Sequence, residues 1–339
     1  MKKNYNIEFW NFVCHFGDLK LLDRYVQFVH PAFMNEHIRN YGDSRWLFNG
    51  VRLIEVTINN ERLPFIYGRI VKDTILEREQ VLKGDELIDD NLRIQNSPSS
   101  IFILSLKEHR MFFIKEQKDS PTMENFKATI EKFINNERRT YINDEYEYQK
   151  KLRQERGGNY KVTKKCDLEA SFPKPDIEVI PLSSDADIDE FIRGMKSIDK
   201  LSLKLVMPNS EYDCNEFFKS WREKNKKLGQ SKSKVEFSKS KKTLPHEEVA
   251  DLSKEAVKDG NILIKMTGKD INDDKLIGTH EEFKLTRTIG DINDSPRILV
   301  KETYESFLEL IRDGVVRAPR ISDGSSIKEK LEFIINMIK

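Results

Sequence analysis

The sequence predicts an α+β protein of two domains, built from mixed sheets with helices on one sheet face. Three observations carry that expectation. In the first half, β-branched and aromatic runs come in pairs separated by turn residues. A long segment with apolar residues at helical spacing follows them. The second half then runs strand, helix, strand, helix, strand, strand, an order that suggests a ferredoxin-like, split βαβ layer.

Taken in order, the segment 18–29 places Leu21, Leu22, Tyr25, Val26 and Val29 on one helical stripe. Residues 51–58 (VRLIEVTI) and 63–74 (LPFIYGRIVKDT) flank Asn59-Asn60 and read as a hairpin or two adjacent strands. Residues 100–106 (SIFILSL) and 110–116 (RMFFIKE), separated by Lys107, Glu108 and His109, read as a second hairpin. A helix then begins with Ser120 as cap and Pro121 in the first helical position. Its apolar face holds Met123, Phe126, Ile130, Phe133 and Ile134, and its wide stripe is suited to covering a sheet.

Residues 137–165 change character. They carry many charges, few aliphatics and the Gly157-Gly158 pair, so they read as a charged linker or helical arm between domains 1–136 and 166–339. The alternative is a long helix plus turn inside one domain. Beyond it, 177–182 reads as a strand, and 185–198 as a helix capped by Ser184. Residues 201–206 read as a strand ended by Pro208, and 213–228 as a helix burying Phe217, Phe218, Trp221 and Leu228. A helix over 245–259 closes on Gly260. Strands are expected at 261–266 and 283–289, and helices at 302–313 and 327–338.

The totals bound the class. A chain of 339 residues can bury a large core in two domains, and 38% hydrophobic content is too high for wholesale disorder despite 34% charged residues. Cys14, Cys166 and Cys214 lie far apart and form no CxxC pair, which points to a reducing, cytoplasmic compartment. No apolar run approaches the ~20 residues of a membrane span. The start MKKNYNIEFWNF lacks a long apolar region and a small-residue cleavage site, so no signal peptide is expected.

Charge is segregated. The chain's formal net charge is +1, yet the segment 219–242 holds ten Lys/Arg and two Glu, after a stretch, 185–216, with eight acids and four bases. A concentrated basic segment is the electrostatic footprint of a polyanion-binding surface. It reads as a basic insertion in which Arg222, Lys224, Lys226 and Lys227 project from the solvent side of a helix. Lys232, Lys234, Lys239, Lys241 and Lys242 then alternate with small polar residues in a loop. Each lysine that neutralises a phosphate adds to the salt dependence of binding. Phe237 is a candidate base-stacking ring. The bland alternative is a solvated insertion between two elements.

Other constellations carry less. The six histidines show no metal-ligand spacing, and nothing points to a metal or another cofactor. His109, at a hairpin tip, is a candidate acid–base group or only a polar turn residue. Glu282-Phe283-Lys284, with Asp273 and Asp274 upstream, and Glu116-Gln117-Lys118 have the acid-x-lysine form of metal-dependent nucleases, a form that chance supplies in so charged a chain. The acidic run at Asp185, Asp187 and Asp189 suits a helix N-terminus, and 269–275 (KDINDDK) a turn. No phosphate-binding or serine-hydrolase motif is present.

Two segments resemble a family of uncharacterised bacterial proteins encoded near mobile elements and phage-defence genes. The first is 97–133, with a strand, the His109-Arg110 tip, a second strand and the Ser120-Pro121 helix start. The second is 201–209 (LSLKLVMPN) with the later NILIKM strand after Gly260. The resemblance implies a cytoplasmic bacterial setting and antiviral defence, and no particular chemistry. The combined expectation is a nucleic-acid-binding component of a defence or mobile-element system, DNA or RNA, without small-molecule catalysis. The alternatives are a structural or regulatory subunit that meets an acidic protein partner, and a nuclease toxin.

Overall fold

The computed structural model describes residues 4–209, 216–228, 232–239, 243–258, 260–279, 281–319 and 324–338. The expected roles of Asp213, Cys214, Lys241, Lys242, Asp259 and His280 lie outside these residues, as does the side chain of Lys226.

The first strands are β1 (Tyr5–Phe16), β2 (Leu19–Lys20), β3 (Ile38–Tyr41), β4 (Ser44–Ile58), β5 (Glu61–Lys83), β6 (Glu86–Asn96), β7 (Ser99–Ser105) and β8 (Arg110–Lys115). After them come β9 (Asp176–Pro181), β10 (Met195–Val206), β11 (Lys232–Ser238), β12 (Ile262–Asp270), β13 (Lys275–Thr279) and β14 (Thr286–Ile289). The helices are α1 (His30–Met34), α2 (Met123–Glu155), α3 (Lys165–Ser171), α4 (Asp185–Arg193), α5 (Glu216–Lys227), α6 (His246–Val257), α7 (Pro296–Arg312) and α8 (Gly324–Asn336).

Among the described residues these strands form two sheets. The larger runs β14-β1-β8-β7-β5-β4-β3, with β2 and β9 added beside β1 and β6 beside β5. The smaller runs β11-β10-β12-β13. Every strand pair is antiparallel.

The large sheet is covered on both faces, which is why its central strands read as continuous apolar runs rather than alternating ones. On one face Trp10, Phe12, Cys14 and Phe16 of β1, Phe102 of β7 and Phe113 of β8 meet Phe33 of α1, Phe126, Ile130 and Phe133 of α2, and Ile334 of α8. On the other face Ile7 and Phe9 of β1, Phe65 of β5 and Phe112 of β8 meet Leu299, Tyr304 and Phe307 of α7. Helices cover one face of the small sheet, where Leu201, Leu203, Leu205, Ile264 and Met266 meet Ile188 of α4, Phe218 of α5 and Val257 of α6.

Local chemistry explains the turns. Asn59 and Asn60 both adopt positive φ, +50° and +62°, in the two-residue turn from β4 to β5. Thr122, rather than Ser120, caps α2: its hydroxyl accepts from the Asn125 amide at 3.3 Å, while Asn125 Oδ1 accepts from the Thr122 amide at 2.9 Å. Ser184 caps α4 as expected, accepting from the Asp187 amide at 3.1 Å. The stripe at 18–29 folds not as one α-helix but as a 3-10 turn (Leu21–Arg24) and a π turn (Tyr25–Val29) ahead of α1.

Strand pairing crosses the stretch that the composition marked as a charged linker or helical arm. Residues 137–155 belong to α2, whose Arg138, Ile142 and Gln149 are buried. Downstream of that stretch, β9 pairs with β1 from Trp10↔Pro181 to His15↔Asp176, and β14 pairs with it from Tyr5↔Ile289 to Glu8↔Thr286. The second-half strands expected to form one split βαβ layer are thus shared between two sheets, and that pairing does not appear among the described strands. The two sheets meet where Val206 and Leu263, at one end of the face opposite the helices, pack on Val13 and Ile180, and through buried polar groups. Asn11 Nδ2 donates to Gly260 O at 2.8 Å and Asn261 Oδ1 at 3.0 Å, and Arg110 donates to Asn11 Oδ1 at 2.6 Å.

Candidate nucleic-acid interface

The basic segment separates into two structural parts. In α5, Phe218 is buried and Trp221 half-buried, which sets the outward face of the helix. Lys224 and Lys227 lie on that outward face and are exposed. Arg222 does not share it: its side chain is buried and donates to the Val206 carbonyl, tying α5 to β10. The second part is not a loop. Residues 232–238 form β11, an edge strand paired with β10 from Val206↔Lys232 to Lys200↔Ser238.

Strand geometry sorts the side chains of β11. Alternate residues point to opposite faces. Val235 and Phe237 pair with Leu203 and Leu201 on the helix-covered face. Lys232, Lys234 and Glu236 point to the opposite face. Phe237 is 36% exposed and lies on the face away from these lysines, so it is not placed to stack on a base bound across them. Lys239 follows the strand and is exposed.

The neighbouring strands extend the same face with lysines outside the segment 219–242. Registers Lys204↔Lys234, Ser202↔Lys265, Lys200↔Thr267 and Lys269↔Lys275 place Lys200 and Lys204 of β10, Lys265 and Lys269 of β12 and Lys275 of β13 beside Lys232 and Lys234. Adjacent strands lie ~4.8 Å apart and same-face residues ~6.6 Å apart along a strand, so these ammonium groups cover a compact patch. The signal was present in sequence as lysines at spacing four within strands, Lys200/Lys204 and Lys265/Lys269, but it required the strand pairing to become a surface.

Two carboxylates grade the patch. Glu236 takes Lys200 and Lys234, each at 2.7 Å, and hydrogen bonds from those two ammonium groups hold its carboxyl at about 2. Glu178 of β9, at the junction with the large sheet, takes Lys127 of α2 at 2.6 Å, Lys232 at 2.9 Å and Lys204 at 3.0 Å. Burial raises the Glu178 carboxyl, but hydrogen bonds from the three lysines outweigh it and hold it at about 2. Lys232 also meets Asp176 at 2.5 Å, and although burial lowers its pKa, the two carboxylates bring it above the ordinary lysine value. Lys204 and Lys232 therefore anchor the sheet to its frame. Lys265, Lys269 and Lys275 are exposed at the far end.

The remaining sequence candidates occupy structural positions. His109 sits at its hairpin tip with φ +53°, is buried, and is held neutral with its pKa lowered to about 3, first by burial and then by the Arg110 charge. Glu282 accepts from the Thr279 amide at 2.6 Å, and Lys284 meets Glu8 and Glu281, each at 2.9 Å. Glu116 accepts from Arg69 at 3.0 Å. Asp270 Oδ1 accepts from the Asn272 and Asp274 amides at 2.8 and 3.0 Å, folding the expected turn between β12 and β13. Among the described residues no group of three or more His, Cys, Asp and Glu side chains is arranged to hold a metal ion. A cavity of about 310 Å³ between the hairpin tips and α7 contains Glu108, whose carboxylate already accepts from Tyr304 at 2.8 Å and Ser105 at 2.5 Å. No helix among the described residues is long and apolar enough to cross a membrane.

No family model matches the chain, and a search of the curated proteins found no match.

Proposed function

We propose that this protein binds nucleic acid across the lysine face of its small sheet. One observation carries the reading: lysines from all four strands converge on one face, and the exposed lysines of β12 and β13 extend it beyond the basic segment. Such a surface neutralises phosphates, and phosphate contacts position a nucleic acid without reading its sequence. Phe237 lies on the other face, so the contact is to backbone rather than through stacked bases, which favours duplex over single strands. Lys224 and Lys227 of α5 and Lys239 belong to the neighbouring basic segment and add long-range attraction. A sequence-independent binder fits the antiviral-defence or mobile-element setting that the resemblance suggests, and fits a cytoplasmic location.

The competing reading is a subunit whose lysine face meets an acidic protein partner. Competition separates the two. A fluorescent duplex bound by the full chain is challenged with unlabelled duplex and with polyglutamate at equal charge concentration. Duplex is expected to displace the probe at far lower charge concentration than polyglutamate. Equal displacement by both assigns the face to acidic surfaces in general and overturns nucleic acid as its specific ligand.

A further inference from the structure

The cavity of about 310 Å³ lies where the β4–β5 turn and the β7–β8 tip meet α7. Its walls are mostly apolar, with Leu63 from β5, Phe307, Leu308 and Ile311 from α7, and Ala318 beyond it. Its polar groups converge: Tyr304 reaches Glu108 at 2.8 Å, and Lys107 reaches Glu61 at 2.5 Å. Apolar walls with a few convergent polar groups are the make-up of a small-molecule site, and the volume falls at the small end of the ~300–1,000 Å³ such sites span. The cavity belongs to the large sheet and α7, apart from the lysine face.

Glu108 decides what the cavity accepts. It is 7% exposed, and its carboxylate accepts from Tyr304 Oη at 2.8 Å and from Ser105 Oγ at 2.5 Å. An ionised carboxylate has about four acceptor positions, so these two bonds leave capacity on it. Neither donor is charged. Burial, and after it the Glu108 charge, raises the Tyr304 phenol above its ordinary value and keeps it a neutral donor. Lys107 Nζ stands 3.8 Å from Glu108, beyond hydrogen-bonding distance, because it is drawn to Glu61. Among the described residues lining the cavity, Glu61 and Glu108 are set against Lys107 alone, which leaves one net negative charge. A buried charge is costly unless a counter-charge reaches it, and a cation with hydrogen-bond donors supplies what Lys107 does not.

We propose that this cavity binds a small organic ammonium ion, its charged head on Glu108 and Glu61 and its apolar body against Leu63, Phe307, Leu308 and Ile311. The Tyr304 and Phe307 rings, with centroids 6.1 Å apart, favour an aromatic body. The probe is phenethylammonium, titrated into the full chain by calorimetry at pH 7 beside neutral 2-phenylethanol and anionic phenylacetate. Phenethylammonium is expected to bind with a dissociation constant below about 1 mM, and the other two at least about tenfold more weakly. Glu108→Gln keeps the side chain's shape, removes its charge, and is expected to weaken the amine more than about tenfold. Glu61→Gln, at a side chain 52% exposed, frees Lys107 to turn to Glu108 and is expected to weaken it by about threefold with the melting temperature unchanged. Glu305→Gln, on α7 outside the lining, is expected to change nothing. If a thermal melt shows that Glu108→Gln loses its fold, Glu61→Gln decides. Phenethylammonium binding weaker than about 1 mM overturns the proposal. So does 2-phenylethanol binding as tightly, wild-type affinity in the folded glutamate variants of the cavity, or equal weakening in Glu305→Gln.

Discussion

Glu178→Gln removes the single carboxylate that Lys127, Lys204 and Lys232 share, and its cost follows from the site. The carboxyl is held at about 2 against an ordinary 4.5. At ~1.36 kcal/mol per unit, that depression bounds the stabilisation at about 3 kcal/mol near neutral pH. The side chain is 7% exposed, so solvent screening discounts this little. The variant also leaves three ammonium groups facing a neutral amide, so we expect a loss of about 2–3 kcal/mol at pH 7. The sign with pH is fixed because the folded value is the depressed one. The stabilisation is present above about 4.5 and is lost as pH falls through about 2. At pH 3 the linkage leaves about 1.4 kcal/mol, less than half. Urea unfolding of wild type and variant at pH 7 and pH 3 measures both quantities. A difference below about 1 kcal/mol at pH 7, or one that does not shrink at pH 3, refutes the reasoning. The same change releases Lys204 and Lys232 from Glu178 and is expected to tighten duplex binding.

Phe126→Ala should destabilise the protein by about 3–5 kcal/mol in urea unfolding. Its ring is fully buried and lies 4.9 Å from Phe102 and 5.5 Å from Phe48, centroid to centroid, and a loss under about 1 kcal/mol contradicts its place in the core. A fragment of residues 1–136 should fail to unfold cooperatively, because it lacks β9 and β14 beside β1 and α7 over Ile7, Phe9 and Phe112. Cooperative unfolding of that fragment by circular dichroism restores the boundary that the charged stretch suggested. Glu236→Gln should strengthen duplex binding with little change in melting temperature, since Glu236 is exposed and competes for Lys200 and Lys234; unchanged affinity removes this end of the face from the site.

Sequence made local structure legible where one element's own pattern sufficed. The β4–β5 turn at Asn59-Asn60, the β7–β8 hairpin and the apolar stripe of α2 each rest on residues close in the chain. It was misleading where burial came from afar. β1, YNIEFWNFVCHF, is buried on both faces and carries no period-two signal, so no strand was expected there. Residues 137–155 left a linker and a helical arm both open, because a long helix with few buried positions is mostly charged; they are the second half of α2. The candidate site was half legible. Lys232 and Lys234 stood out in the basic run, whereas Lys200, Lys204, Lys265, Lys269 and Lys275 join them only through strand registers that no local pattern encodes. Arg222 was misplaced by one position of helix phase, since Phe218, four residues earlier, marks the same inward side.

The central claim is that the lysine face binds phosphates. Its most direct test is the affinity of the full chain for a short duplex across a sodium chloride series, measured by fluorescence anisotropy for wild type and for Lys265, Lys269 and Lys275 all replaced by Gln. Log affinity is expected to fall linearly with log salt, and the triple variant to flatten the slope by about 2.7, or ~0.9 for each phosphate no longer neutralised. These lysines are exposed, so the melting temperature should hold. A triple variant with wild-type affinity and wild-type slope contradicts phosphate binding by this face.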